Sequence, residues 1–171
     1  MTRKVLIVLT SAKETPWGKD TGYWLEELAA PYNAFVDAGM EVEIASIKGG
    51  KPPIDAGSLA DSFLTDDTRR FSADPVATAK VEATKPISEF VSRASEFSAV
   101  FLPGGHGTAL DFAGCVELKT ILEEVYANHG IVSAVCHGPC GLVSPIDKTT
   151  GVRASSNSCD VLIFRACRLH W

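Results

Sequence analysis

The sequence lacks what several large classes of protein require. No apolar run approaches the roughly 20 residues of a membrane span, so no membrane partner is expected. The short run in the opening MTRKVLIVLTSAKE has no small-residue cleavage pattern behind it and reads as a first strand, not a signal peptide. Basic charge is not in excess either. The 171 residues carry a formal charge of −5, which argues against nucleic acid as a partner. Neither GxGxxG nor GxxxxGKS/T occurs, which removes the nucleotide-loop readings. Five cysteines, an odd number without framework spacing, point to a reducing cytoplasmic setting instead of a disulfide scaffold. With no CxxC pair and no His/Cys ligand cluster, no metal is expected. What is left is an ordinary soluble composition and a length that allows one sizeable core.

What is present alternates between strand and helix patterns. Lys4 to Thr10 is a continuous apolar run, the pattern of a strand buried on both faces. A polar loop follows to Gly22. Trp24, Leu28, Tyr32, Phe35 and Val36 then recur at helical spacing, with a disturbance expected at Pro31. Glu41 to Ile47 alternates as a second strand. Lys48 to Asp74 is long for a connection and reads as an excursion covering one end of the sheet. Phe63 and Phe71 within it read as core residues. A helix is expected from Pro75 to Ala94, with Ile87, Phe90 and Val91 inward. A strand follows at Phe97 to Leu102, then a helix from about Cys115 to Asn128 ended by Gly130, then a strand from Ile131 to Val135. The sum is a doubly wound parallel α/β sheet, in which ligands bind outside the C-terminal strand ends.

Three loops meet on that edge: the one after the first strand, the turn Pro103-Gly104-Gly105-His106-Gly107, and the corner Cys136-His137-Gly138-Pro139. A cysteine on a strand-to-helix corner is pushed out of the sheet edge, as a serine is in a nucleophile elbow. Helix amides beyond it should lower its pKa and enlarge the thiolate fraction. Cys136 is therefore the candidate nucleophile, with the Gly105 and His137 amides assigned to an oxyanion hole. His106 and His137 compete as general base. Glu27 lies nearer the apolar stripe of its helix than Glu26, and a part-buried carboxyl there could exchange a proton with a thiol. Cys115 and Cys140 read as small core residues and Asp55 as a turn residue.

AVCHGP after a strand, LPGGHG at the preceding strand end, and GYWLEELAAPYNAF followed by GGKPPID together resemble the PfpI-like branch of the class I glutamine amidotransferase-like superfamily. The likeness is nearest to its heat-shock chaperone and glyoxalase III members. It implies a flavodoxin-like sheet, Cys136 as nucleophile with His137 beside it, the acid at Glu27, and Gly105, His106 and His137 around the substrate. It also implies a cofactor-free conversion of methylglyoxal to D-lactate without glutathione. Related members are described as deglycases, peptidases, redox sensors or holding chaperones for unfolded clients, and many form homodimers. Family members continue after the position of Val143 with further strands and helices. Here residues 144 to 171 hold four Lys/Arg and two Asp/Glu of the chain's 16 and 21, a basic tail on an acidic body. The expectation is a family domain at 1–143, incomplete at its C-terminus, and an atypical tail at 144–171 in which Val161 to Phe164 could form a short replacement strand.

Overall fold

The computed structural model describes residues 3–146, 151 and 161–164. Its first strand, β1 (Lys4–Leu9), is central. Leu6 and Val8 of β1 enter one core, Ile7 and Leu9 the other. Both faces are covered, so the run has no polar side.

The flavodoxin-like parallel arrangement is as expected. β2 (Glu41–Ser46) lies on one flank of β1, with β3 (Lys85–Pro86) outside it. On the other flank come β4 (Ala99–Leu102), β5 (Ile131–Val135) and β6 (Val161–Phe164). Every pairing is parallel. β6 occupies the stretch proposed as a replacement strand and pairs with β5 from Val132↔Val161 to Val135↔Phe164. One sheet face carries α1 (Leu25–Asp37), α2 (Asp66–Ala73) and α3 (Pro75–Glu82). The other carries α5 (Val116–Ala127) and a 3-10 segment, Ile87–Glu96. Among the described residues no helix is long and apolar enough to cross a membrane.

Four local expectations need correction. The single helix from Pro75 to Ala94 is instead α3, the two-residue β3 and the 3-10 segment. Pro86 explains the break, because it disfavours helical backbone at Lys85 and has no N–H to donate. Ile87 and Phe90 still point inward and Val91 packs against them. In α1 the helix continues through Pro31, losing only the bond its N–H would have made to the Glu27 carbonyl. The excursion after β2 does more than cover one end of the sheet: near its end it carries α2, whose Phe71 meets Tyr32 of α1 edge-on at 5.1 Å. Phe71 is core, but Phe63 is 48% exposed. Finally, the segment after Cys136 is a five-residue 3-10 turn, Gly138–Leu142, not an α-helix.

Side-chain caps fix where the added helices start. Thr65 accepts from the Thr68 amide ahead of α2, and Asp74 from Val76 and Ala77 ahead of α3, where Pro75 takes the first turn. The order of strands reverses beside β1, which leads to β2 on one side and neighbours β4 on the other. This is the switch point where a crevice opens at the C-terminal ends. Replacing the fully buried Leu6 with Ala should lower unfolding free energy by about 3 kcal/mol, measured by urea titration, because a cavity in the central strand cannot collapse from either face.

Candidate active site

Backbone hydrogen bonds draw distant segments together at this crevice. Tyr23 donates its amide to the Pro53 carbonyl and accepts from the Asp55 amide, both at 2.9 Å, which pulls the excursion against the start of α1. The Trp24 amide donates to the Gly104 carbonyl at 3.1 Å and so joins α1 to the turn after β4. α4 (Thr108–Asp111) follows that turn. Its Asp111 carboxylate accepts from the Thr10 hydroxyl at 2.8 Å and the Ser11 amide at 2.7 Å, tying the loop after β1 to the same place. These partners are about one hundred residues apart in sequence, and no local pattern marks Asp111.

Cys136 follows β5 directly and has φ 55, a left-handed conformation for a residue with a side chain. Such strain costs about 1–2 kcal/mol and persists only where surrounding contacts impose it. The Cys136 Sγ lies 3.1 Å from Nδ1 of His137, so these neighbours do meet, although consecutive side chains usually diverge. Glu27, in the first turn of α1, accepts from the Gly104 amide at 2.7 Å and also hydrogen-bonds the Cys136 side chain. Glu26 points elsewhere and takes a hydrogen bond from the Thr65 hydroxyl. The amides of Gly105 and His137 both donate towards Cys136 Sγ.

Two glycines make this approach feasible. A Cβ at Gly104 would stand 2.7 Å from Cys136 Cβ, 2.7 Å from the His137 nitrogen and 2.8 Å from Glu27 Oε2. Gly105 has φ 104, and a side chain there would run into the Gly22 carbonyl at 2.3 Å.

The expectation of a lowered thiol pKa is overturned. Burial first, then the Glu27 charge, push Cys136 up to about 11, while the Gly105 and His137 amides pull the other way without winning. The short 3-10 turn supplies no α-helical macrodipole to assist them. Glu27 is itself raised by burial, against the Gly104 and Cys136 hydrogen bonds. The two groups titrate as a pair: a proton arriving on Glu27 removes one cause of the high thiol pKa and puts a donor beside the sulfur. His137 is held below the ordinary imidazole value by burial and then by His106.

His106 is 59% exposed at the mouth, its ring 4.8 Å from that of His137 and tilted by 42°. Its Nδ1 is 3.6 Å from Oδ2 of Asp55. Asp55 is a turn residue, as the sequence suggests, since Oδ1 accepts from the Gly57 amide. Its second oxygen faces the site, which the PPID pattern did not reveal. No third donor joins Asp55 and His106 to make a metal cluster among the described residues. Cys115 packs partly buried against the core and Cys140 is half-buried.

The DJ-1/PfpI family pattern matches residues 20–157, running beyond Val143. The chain belongs to the DJ-1/PfpI family. It is 36% identical over 156 residues to the glutathione-independent glyoxalase HSP31 of Saccharomyces cerevisiae, covering 87% of this chain and 63% of that protein. The crystal structure of glyoxalase III from Candida albicans superposes with a TM-score of 0.76 at 30% identity, over 87% of this chain and 63% of that one. A more distant relative, at 23% identity over 72% of this chain and 42% of its own length, is the protein/nucleic acid deglycase HchA of Staphylococcus aureus. The chain thus spans less than two thirds of the curated relatives it matches.

Gly104→Ala should separate Glu27 from Cys136. We expect a stability loss of about 1–3 kcal/mol by urea titration and a changed pH profile for iodoacetamide alkylation of Cys136 in the folded variant, read by mass spectrometry.

Proposed function

We propose that this chain is a glutathione-independent glyoxalase of the D-lactate dehydratase type, converting methylglyoxal to D-lactate with Cys136 as nucleophile. The observation that carries the reading is the convergence on one sulfur of the His137 imidazole at 3.1 Å, the buried Glu27 carboxyl and the two amides of Gly105 and His137. The thiol gives up its proton to His137 or Glu27, and the thiolate adds to the aldehyde carbon. The resulting alkoxide sits against the Gly105 and His137 amides, with His106 bounding the substrate at the mouth. After protonation of that oxygen the former aldehyde hydrogen leaves as a proton to an acid/base group, giving an enediol. A proton returned to the second carbon yields a lactoyl thioester. Water hydrolyses it to lactate and restores the thiol. The conversion is an internal redox change: one carbon is oxidised, its neighbour reduced, and no outside electron acceptor is needed. A nucleophilic thiol of this kind suits a reducing compartment, and the cytoplasm is the location we propose.

A second reading, a holding chaperone for unfolded clients, is supported by apolar side chains left at the surface, Trp17 at 75% exposure and Phe63 among them. It differs in needing no thiol. Protein deglycation is a third outcome that uses the same cysteine.

Cys136→Ala should abolish D-lactate formation from methylglyoxal, a loss of about 10³-fold or more, with the circular dichroism spectrum unchanged. Turnover that survives this change would sink the enzyme reading, and aggregation suppression that survives it would favour the holdase. Glu27→Gln keeps the shape but cannot exchange a proton, so kcat should fall about 10²-fold with KM little changed. Because His137 is held below its ordinary value, its neutral form persists further into acid. The acid limb of kcat/KM should therefore lie below the usual imidazole midpoint of about 6.5, measured by initial rates across pH.

A further inference from the structure

We propose that Asp55 and His106 form an outer dyad that keeps the His137 imidazole beside Cys136 neutral, so that both act on the cysteine chemistry through His137. This rests on the glyoxalase reading only for its consequence in turnover; the electrostatic coupling stands on geometry alone.

Four side chains from three segments form an unbroken series. Asp55, from the excursion, is anchored by the Gly57 amide on Oδ1 at 2.9 Å, which leaves Oδ2 aimed at His106 Nδ1 at 3.6 Å. The His106 ring, from the turn after β4, lies 4.8 Å from the His137 ring. His137 Nδ1 completes the series at 3.1 Å from Cys136 Sγ. The Asp55 carboxylate stands where it can pair with a cation on His106. A cation on His106 in turn disfavours a second cation on His137, since like charges at this spacing repel. Neutral His137 is the form that can accept a proton through Nδ1. Among the described residues the other titratable groups facing His137 are Cys136 and, through it, Glu27.

His106 is open to solvent, so the repulsion is screened and the coupling modest. Two charges about 5 Å apart in a hydrated setting shift a midpoint by about half a pH unit. Asp55 acts on His137 only through His106, so its effect depends on the imidazole being there. Asn at position 55 keeps the oxygen that accepts from Gly57, so the turn is preserved.

The experiment is an NMR titration of ring-labelled histidines in the full chain. His137 is assigned among the four histidines by loss of its signal in His137→Gln. His106→Gln should raise the His137 midpoint by about half a pH unit, and the acid limb of methylglyoxal turnover should rise with it. Asp55→Asn should give a smaller rise that disappears in the His106→Gln background, and Asp55→Glu should restore the original midpoint. A His137 midpoint that stays put or falls in His106→Gln overturns the proposal. So does an Asp55→Asn shift of equal size with and without His106. The titration needs no turnover, so inactivity towards methylglyoxal would overturn the glyoxalase reading while leaving the dyad to be judged by the imidazole signals.

Discussion

The hydrogen bond from the Gly104 amide to Glu27 is the contact on which the site depends. It joins the turn after β4 to the first turn of α1, two segments separated by seventy-seven residues and brought to the same edge only by the sheet. Gly104 can make it because nothing projects from its Cα. The space a methyl group would fill is bounded by Cys136 and the His137 nitrogen from the corner after β5 and by Glu27 from α1. The strand order places these segments near one another, but the missing side chain brings them to bonding distance.

That closeness sets the electrostatics. Amides aimed at the sulfur favour a thiolate, whereas burial and, after it, an adjacent carboxylate oppose it, and the opposition prevails. The same two amides pass, in the proposed reaction, from the resting thiol to the negative oxygen that forms beside it, where charge-assisted hydrogen bonds are strong. In the proposed reaction this has a use. A thiol that ionises only as its proton moves to a nearby group stays protected until substrate arrives, and Glu27 and His137 both stand within reach of that proton. The strained φ of Cys136 works in the same direction, holding Sγ out of the sheet edge where the donors converge.

Much of this was legible in the sequence because it depends on period and on glycine. The apolar runs of β1 and β5 mark strands buried on both faces, and the spacing of Leu28 and Tyr32 marks the inner face of α1. The choice of Glu27 over Glu26 could be made from its distance to that stripe. The segment from Pro75 to Ala94 misled because Ile87, Phe90 and Ala94 keep a nearly helical spacing even in 3-10 form, and the inward pattern survives a change in helix type. Pro86 was the contrary signal. Asp55 and Asp111 were not legible as site residues, since one looks like any turn aspartate and the other acts across the whole chain. The sign of the Cys136 shift was missed for a related reason: local sequence shows the amides beside the thiol but not the carboxylate packed over it.

The last described strand bears on the nucleophile more directly than its position suggests. The ladder between β4 and β5 ends at Leu102↔Ala134, one residue short of the end of β5. The ladder between β5 and β6 continues to Val135↔Phe164. Among the described residues, therefore, β6 is the strand that reaches the residue immediately before Cys136. A left-handed residue is held in place by the backbone on either side of it. On one side that backbone is the Gly138–Leu142 turn, and on the other it is Val135, clamped by β6. The pairing of these four residues thus helps to impose the corner geometry, which ties Val161–Phe164 to the placement of the thiol.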